Sequence, residues 1–173
     1  MKKVIKIKDM DIKNMYNPNN IEFNDKNINF EMYKLLDLEE DYLPSIFKKI
    51  YDIQLNGYIP IILYPEKLKS IVEDVNNIND FIDANCLFIL DAKSLEGDYG
   101  SKIRKVSKII LKNRIYNFIN KNRVAEEKIR NIISKYEGCS EVLEESFKNL
   151  INCDLVEFLG RRVNIRKKIL GVF

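Results

Sequence analysis

Two short apolar runs do most to limit the folds open to this chain: Tyr58-Ile59-Pro60-Ile61-Ile62-Leu63-Tyr64 and Cys86-Leu87-Phe88-Ile89-Leu90. Both are short and apolar, the first also rich in β-branched residues, so each reads as a strand of a sheet, the first buried or at an edge. Between them, Pro65 opens a helical stretch to about Phe81, with Leu68, Ile71, Val72, Val75 and Ile78 on one face. Strand, helix, strand in that order predicts a small βαβ unit. Residues 2–8 alternate charged and apolar and add a strand to its sheet, with a shorter one expected at Ile21-Glu22-Phe23. From Phe30 to Leu55 the spacing is helical (Met32, Leu35, Leu36, then Leu43, Ile46, Phe47, Ile50, Ile53), with a break before Pro44. The loop Ser94 to Gly100 is the natural boundary. It divides an α/β (or α+β) domain with a small mixed sheet, residues 1–98, from a second domain at 99–173.

Charge separates the same two halves. Residues 101–173 carry 17 Lys/Arg against 8 Asp/Glu, whereas residues 1–100 carry 12 against 18. A basic half beside an acidic one suggests a polyanion partner for the former, and dimerisation or partner binding for the latter. No apolar run approaches the roughly 18 residues that span a bilayer, and no signal-peptide pattern follows Met1. The expectation is a cytosolic protein without membrane contact.

The basic half has the periodicity of three helices and a turn-linked hairpin. Ser101 caps a first helix to about Asn120, with Ile103, Val106, Ile110, Ile115, Phe118 and Ile119 inward. A second covers about Val124 to Tyr136, and a third starts at Ser140 and buries Leu143, Phe147, Leu150 and Ile151. Leu155-Val156-Glu157-Phe158, a turn at Leu159-Gly160-Arg161, and Val163 alternating to Ile165 complete the pattern. Residues 105–170 thereby resemble the winged helix-turn-helix family, in which the third helix enters the DNA major groove and the wing touches the backbone. The third helix here opens with Glu141, Glu144 and Glu145, and Lys148 is its only cation. The resemblance therefore implies phosphate contact led by Arg161, Arg162, Arg166, Lys167 and Lys168 of the wing, with Lys105, Lys108, Lys112 and Arg114 of the first helix extending the patch. Duplex DNA is the favoured partner, in transcription regulation or replication. A second resemblance, to GINS replication-complex subunits, rests on Leu36 to Tyr42 and on the basic helix Lys105 to Phe118. It implies a scaffold subunit with little DNA binding of its own.

Catalytic chemistry finds little footing. The chain has no histidine, which removes Ser-His, Cys-His and His-metal arrangements together. Cys86, Cys139 and Cys153 lack zinc-ligand spacing and read as reduced thiols. Gly97-Asp98-Tyr99-Gly100-Ser101-Lys102 stands where a phosphate loop would, but has two residues between its glycines instead of four. Asp91 ends an apolar strand, a usual place for a catalytic carboxylate in α/β folds. It has no second carboxylate beside it in sequence, and Lys93 is the nearest cation to pair with it. Composition and motifs thus predict a non-enzymatic protein with no cofactor and no metal.

Overall fold

The computed structural model describes residues 5–38 and 44–166. Its centre is one five-stranded sheet in the order β1-β2-β3-β4-β5, formed by β1 (Ile5–Lys8), β2 (Tyr33–Leu38), β3 (Ile59–Leu63), β4 (Leu87–Asp91) and β5 (Phe118–Asn120). β1 runs antiparallel to β2, and β2 through β5 are parallel. Parallel neighbours need crossovers. Helix α1 (Pro44–Leu55) supplies the first, α2 (Lys69–Glu73) and α3 (Ile78–Asp83) the second, and α4 (Ala92–Glu96) with α5 (Ser101–Lys112) the third. After β5 come α6 (Glu126–Ile133) and α7 (Cys139–Ile151). Among the described residues no helix is long and apolar enough to cross a membrane.

Side chains of a strand alternate between faces, and here both faces are buried. Leu36, Ile62 and Phe88 form one row across the sheet, joined by Leu90 and Ile119. They pack under Ile46 and Ile50 of α1, Ile78 and Phe81 of α3, and Val106 and Ile110 of α5. Leu35, Ile61 and Leu87 form the opposite row, with Leu63, Ile89 and Phe118 beside them. This second face is covered by Ile12 and Met15 and by Phe147 and Leu150 of α7. Pro60 is tolerated in an interior strand because β3–β4 pairing starts one residue later, at Ile61–Leu87. The segment after β1 crosses the second face and reaches the far edge, where Met15 bridges Asn120. Tyr16 N–H donates to the Ile119 carbonyl and Lys121 N–H to that of Asn14.

Several expectations are corrected. Among the described residues there is no winged helix. Residues 154–165 do not pair with one another; they run extended over the body and bond to it. Val156 N–H donates to the Tyr33 hydroxyl, and the Glu157 carbonyl accepts from Asn117. The Asn79 side chain accepts from Val163 N–H and donates to its carbonyl, and Asn76 does the same for Ile165. A hairpin would have consumed those backbone groups itself. The helix expected to reach Asn120 stops at Lys112. Arg114 then turns left-handed at φ 57°, and Phe118 and Ile119 enter the sheet. The helical spacing at Leu35 and Leu36 belongs to β2, which is buried on both faces and so carries no simple alternation.

Candidate functional site

Open α/β sheets carry their sites where parallel strands end at their carboxyl termini. At that edge β3 delivers Tyr64, Glu66 and Lys67, β4 delivers Asp91, and β5 delivers Asn120 and Asn122. Tyr64 sits at φ 53°, ψ 54°, and Asn122 and Arg123 at φ 45° and 67°. Left-handed backbone is unfavourable for a tyrosine or arginine, and such strain gathers at functional edges. The Gly97–Gly100 turn links α4 to α5 and presents Tyr99 to the same point. Gly97, at φ 96°, closes α4 as its C-cap, with its N–H donating to the Lys93 carbonyl.

Asp91 is the hub. Its side chain is 2% exposed. Oδ2 accepts from Lys67 Nζ at 2.6 Å and from the Tyr99 hydroxyl at 2.8 Å. Asn122 Nδ2 lies 3.1 Å from each carboxylate oxygen, and Lys93 N–H donates to Oδ1 at 3.0 Å, capping α4. Lys93 thus contributes its backbone, and the cation paired with Asp91 is Lys67. The Lys67 ammonium stands 3.8 Å from the Tyr99 ring centroid and 4.6 Å from that of Tyr64. Asn120 Nδ2 donates to the Tyr64 hydroxyl at 2.8 Å and fixes that ring. Burial pushes the Asp91 carboxyl up, but the Lys67, Asn122 and Tyr99 bonds outweigh it and hold the group below its ordinary value. Burial likewise works against the Lys67 ammonium, and its bond to Asp91 more than reverses the effect.

Beneath this hub lies Glu66, fully buried. Its Oε1 accepts from Asp91 N–H at 3.0 Å and the Ser94 hydroxyl at 2.8 Å, and Oε2 accepts from the Tyr116 hydroxyl at 3.1 Å. Burial pushes its carboxyl up to about 7, against the pull of those donors.

The residues expected to contact phosphate do not converge on one wing. Arg162 pairs with Asp83. The Arg161 guanidinium reaches the Lys112 carbonyl at 3.4 Å. Arg166 is exposed, and Lys167 and Lys168 lie outside the described residues. On α5, Lys105 and Lys112 are exposed and Lys108 is half-buried. Arg114 is tucked against the backbone of Gly138. The residues that sequence reasoning passed over are Lys67, Tyr64, Tyr99, Asn120, Asn122 and Glu66. Their signal was position: Tyr64-Pro65-Glu66-Lys67 directly follows one apolar strand, and Asp91 ends the next.

Comparison with known proteins overturns the nucleic-acid reading. A Staphylococcus aureus protein named as the tyrosine-protein phosphatase CapC is 34% identical over 93 residues, 53% of this chain and 36% of that protein. The tyrosine-protein phosphatase YwqE of Bacillus subtilis is 26% identical over 93 residues, 53% of this chain and 37% of its own length. The chain therefore spans about a third of the length of these relatives. In fold it resembles a solved chain from the pair YwqE of Bacillus subtilis and CpsB of Streptococcus pneumoniae, described as unique metal-dependent tyrosine phosphatases. The TM-score is 0.63 at 21% identity, over 78% of this chain and 59% of that one. These relatives are enzymes and none is named for DNA binding, so the expectations of a non-enzymatic DNA-binding protein, of a duplex DNA partner and of a GINS-like scaffold are all set aside. Residues 22–158, most of the described sheet and helices, match the family described as capsular polysaccharide synthesis, CpsB/CapC, and the chain belongs to that family.

Proposed function

We propose that this chain carries out the phosphotyrosine-directed work of its family, engaging a phosphotyrosine side chain at the sheet edge around Lys67. The observation that carries the reading is the placement of the Lys67 ammonium, side chain 28% exposed, between two tyrosine rings at the carboxyl edge of the parallel strands. An ammonium is a point-charge anchor for a phosphate dianion, and the rings offer flat faces to a phenyl group. Arg123, exposed one residue beyond Asn122, adds a second cation within the same loop. The tyrosine-phosphatase names of the relatives supply the substrate class.

The metal on which the solved relatives are described as depending does not fit the residues at this edge. The chain has no histidine. Among the described residues no group of three His, Cys, Asp or Glu is placed to hold an ion. The carboxylates of Asp91 and Glu66 are already engaged by their own donors. What the chain's own residues offer a substrate is binding: Lys67, bonded to Asp91, has N–H capacity left for a phosphate oxygen, Arg123 brings a charge not spent on Asp91, and the rings orient the aryl group.

Anisotropy titration with a phosphotyrosine peptide and its unphosphorylated twin tests the proposal. The phosphorylated peptide is expected to bind at least about tenfold more tightly, the equivalent of about 1.4 kcal/mol. That preference should vanish in Lys67→Met, with folding checked by circular dichroism. Equal affinity of the native chain for the two peptides sinks the proposal.

A further inference from the structure

We infer that the Lys67 ammonium is the built-in counter-charge of Asp91, complete in itself, so that this edge takes no divalent cation. The inference goes beyond the phosphotyrosine reading and does not depend on it.

It rests first on hydrogen-bond capacity. A carboxylate offers about four lone-pair directions. Asp91 accepts from Lys67, Tyr99, Asn122 and the Lys93 N–H, with Asn122 within reach of both oxygens. At 2% exposure no direction remains open to a metal. An incoming ion would also meet the ammonium 2.6 Å from the oxygen it needs, held between the Tyr64 and Tyr99 rings. Like charges at such spacing repel strongly where water is scarce.

The donor inventory agrees. Metal centres draw on several deprotonated side chains at once. The other side chains bonded at this hub are neutral amides (Asn120, Asn122) and phenols whose ionisation burial discourages (Tyr64, Tyr99), and the carboxylate of Asp98, next to Tyr99 on its turn, is exposed. Glu66 spends both oxygens on Asp91 N–H, Ser94 and Tyr116. The thiols of Cys86 and Cys139 are pushed by burial to about 12 and about 11, and neither makes a bond to a residue of the edge. A fixed ammonium and an exchangeable divalent ion are alternative ways of balancing a buried carboxylate, and these residues are arranged for the first.

Two measurements on the full chain test this. Protein purified from metal-replete medium is dialysed and its metal content measured, and its melting temperature is followed in EDTA and in millimolar Mn²⁺, Mg²⁺ and Zn²⁺. No stoichiometric metal and an unchanged melting temperature are expected. In parallel, Lys67→Met is expected to lower the melting temperature by roughly 5 °C, and Lys67→Met with Asp91→Asn to recover most of that loss, because the two charges are coupled. Where Lys67→Met alone does not fold, a folded double variant is the same recovery in stronger form. One tightly held ion per chain overturns the inference, as does a rise of several degrees with a divalent ion that Asp91→Asn abolishes. A double variant no better than Lys67→Met also overturns it.

Discussion

Glu66 shows what one buried carboxyl does to the whole protein. Its ordinary value is 4.5 and burial lifts it to about 7 in the fold. Between those two values the folded chain holds more protons than the unfolded one, so stability falls as pH rises and levels off above about 7. The shift corresponds to about 3 kcal/mol. Urea midpoints at pH 5 and pH 7.5 measure it, and Glu66→Gln is expected to flatten the slope across that window. Asp91 acts with the opposite sign: its depressed value adds stability that is lost only as pH drops below the usual carboxylate range. Asp91 at a strand end was visible in the sequence, but its partners Lys67, Tyr99 and Asn122 stand 24, 8 and 31 residues away, and no local motif joins them.

At the scale of elements, the extended segment after α7 is held as though by a neighbouring strand. Asn79 and Asn76 each offer a carbonyl oxygen and an amide to one residue of it, Val163 and Ile165. The Asn79 pair is buried and the Asn76 pair exposed. Asn79→Ala should therefore cost about 2 kcal/mol by leaving a buried N–H and C=O unpaired, and Asn76→Ala markedly less. Urea denaturation gives the difference, and faster tryptic cleavage at Arg161 and Arg162 in Asn79→Ala reports the segment lifting. This segment read as a wing because alternating Val163 and Ile165 beside Gly160 carry the same period whether the strand's partner is local or distant. β5 was illegible for a related reason. Three residues set no period, and the run Ile115 to Ile119 also fits a helix until the Arg114 turn intervenes. β3 was legible from its β-branched run and β4 from a short apolar run too brief for a helix.

For the molecule as a whole, one sheet with two covered faces joins chain segments distant in sequence. The cluster beneath the crossover helices takes Leu36, Ile62 and Phe88 together with Val106, Ile119, Ile133 and Val163. Unfolding is therefore expected as one transition, with tyrosine fluorescence and far-ultraviolet circular dichroism coinciding along a urea curve; nine tyrosines and no tryptophan make the former a distributed probe. Two separated midpoints would count against a shared core. The Met15–Asn120 bridge has a consequence of its own. Unpaired strand edges are templates on which other chains add strands. At β5 that template is taken, since the Ile119 carbonyl and Lys121 N–H are bound by the segment that follows β1. At the opposite edge β1 carries exposed Lys6 and Lys8, the latter paired with Asp37 of β2, and charged side chains on an edge strand discourage a further strand from adding there. The sheet is thereby guarded against joining a neighbour's sheet, by its own chain at one end and by charge at the other.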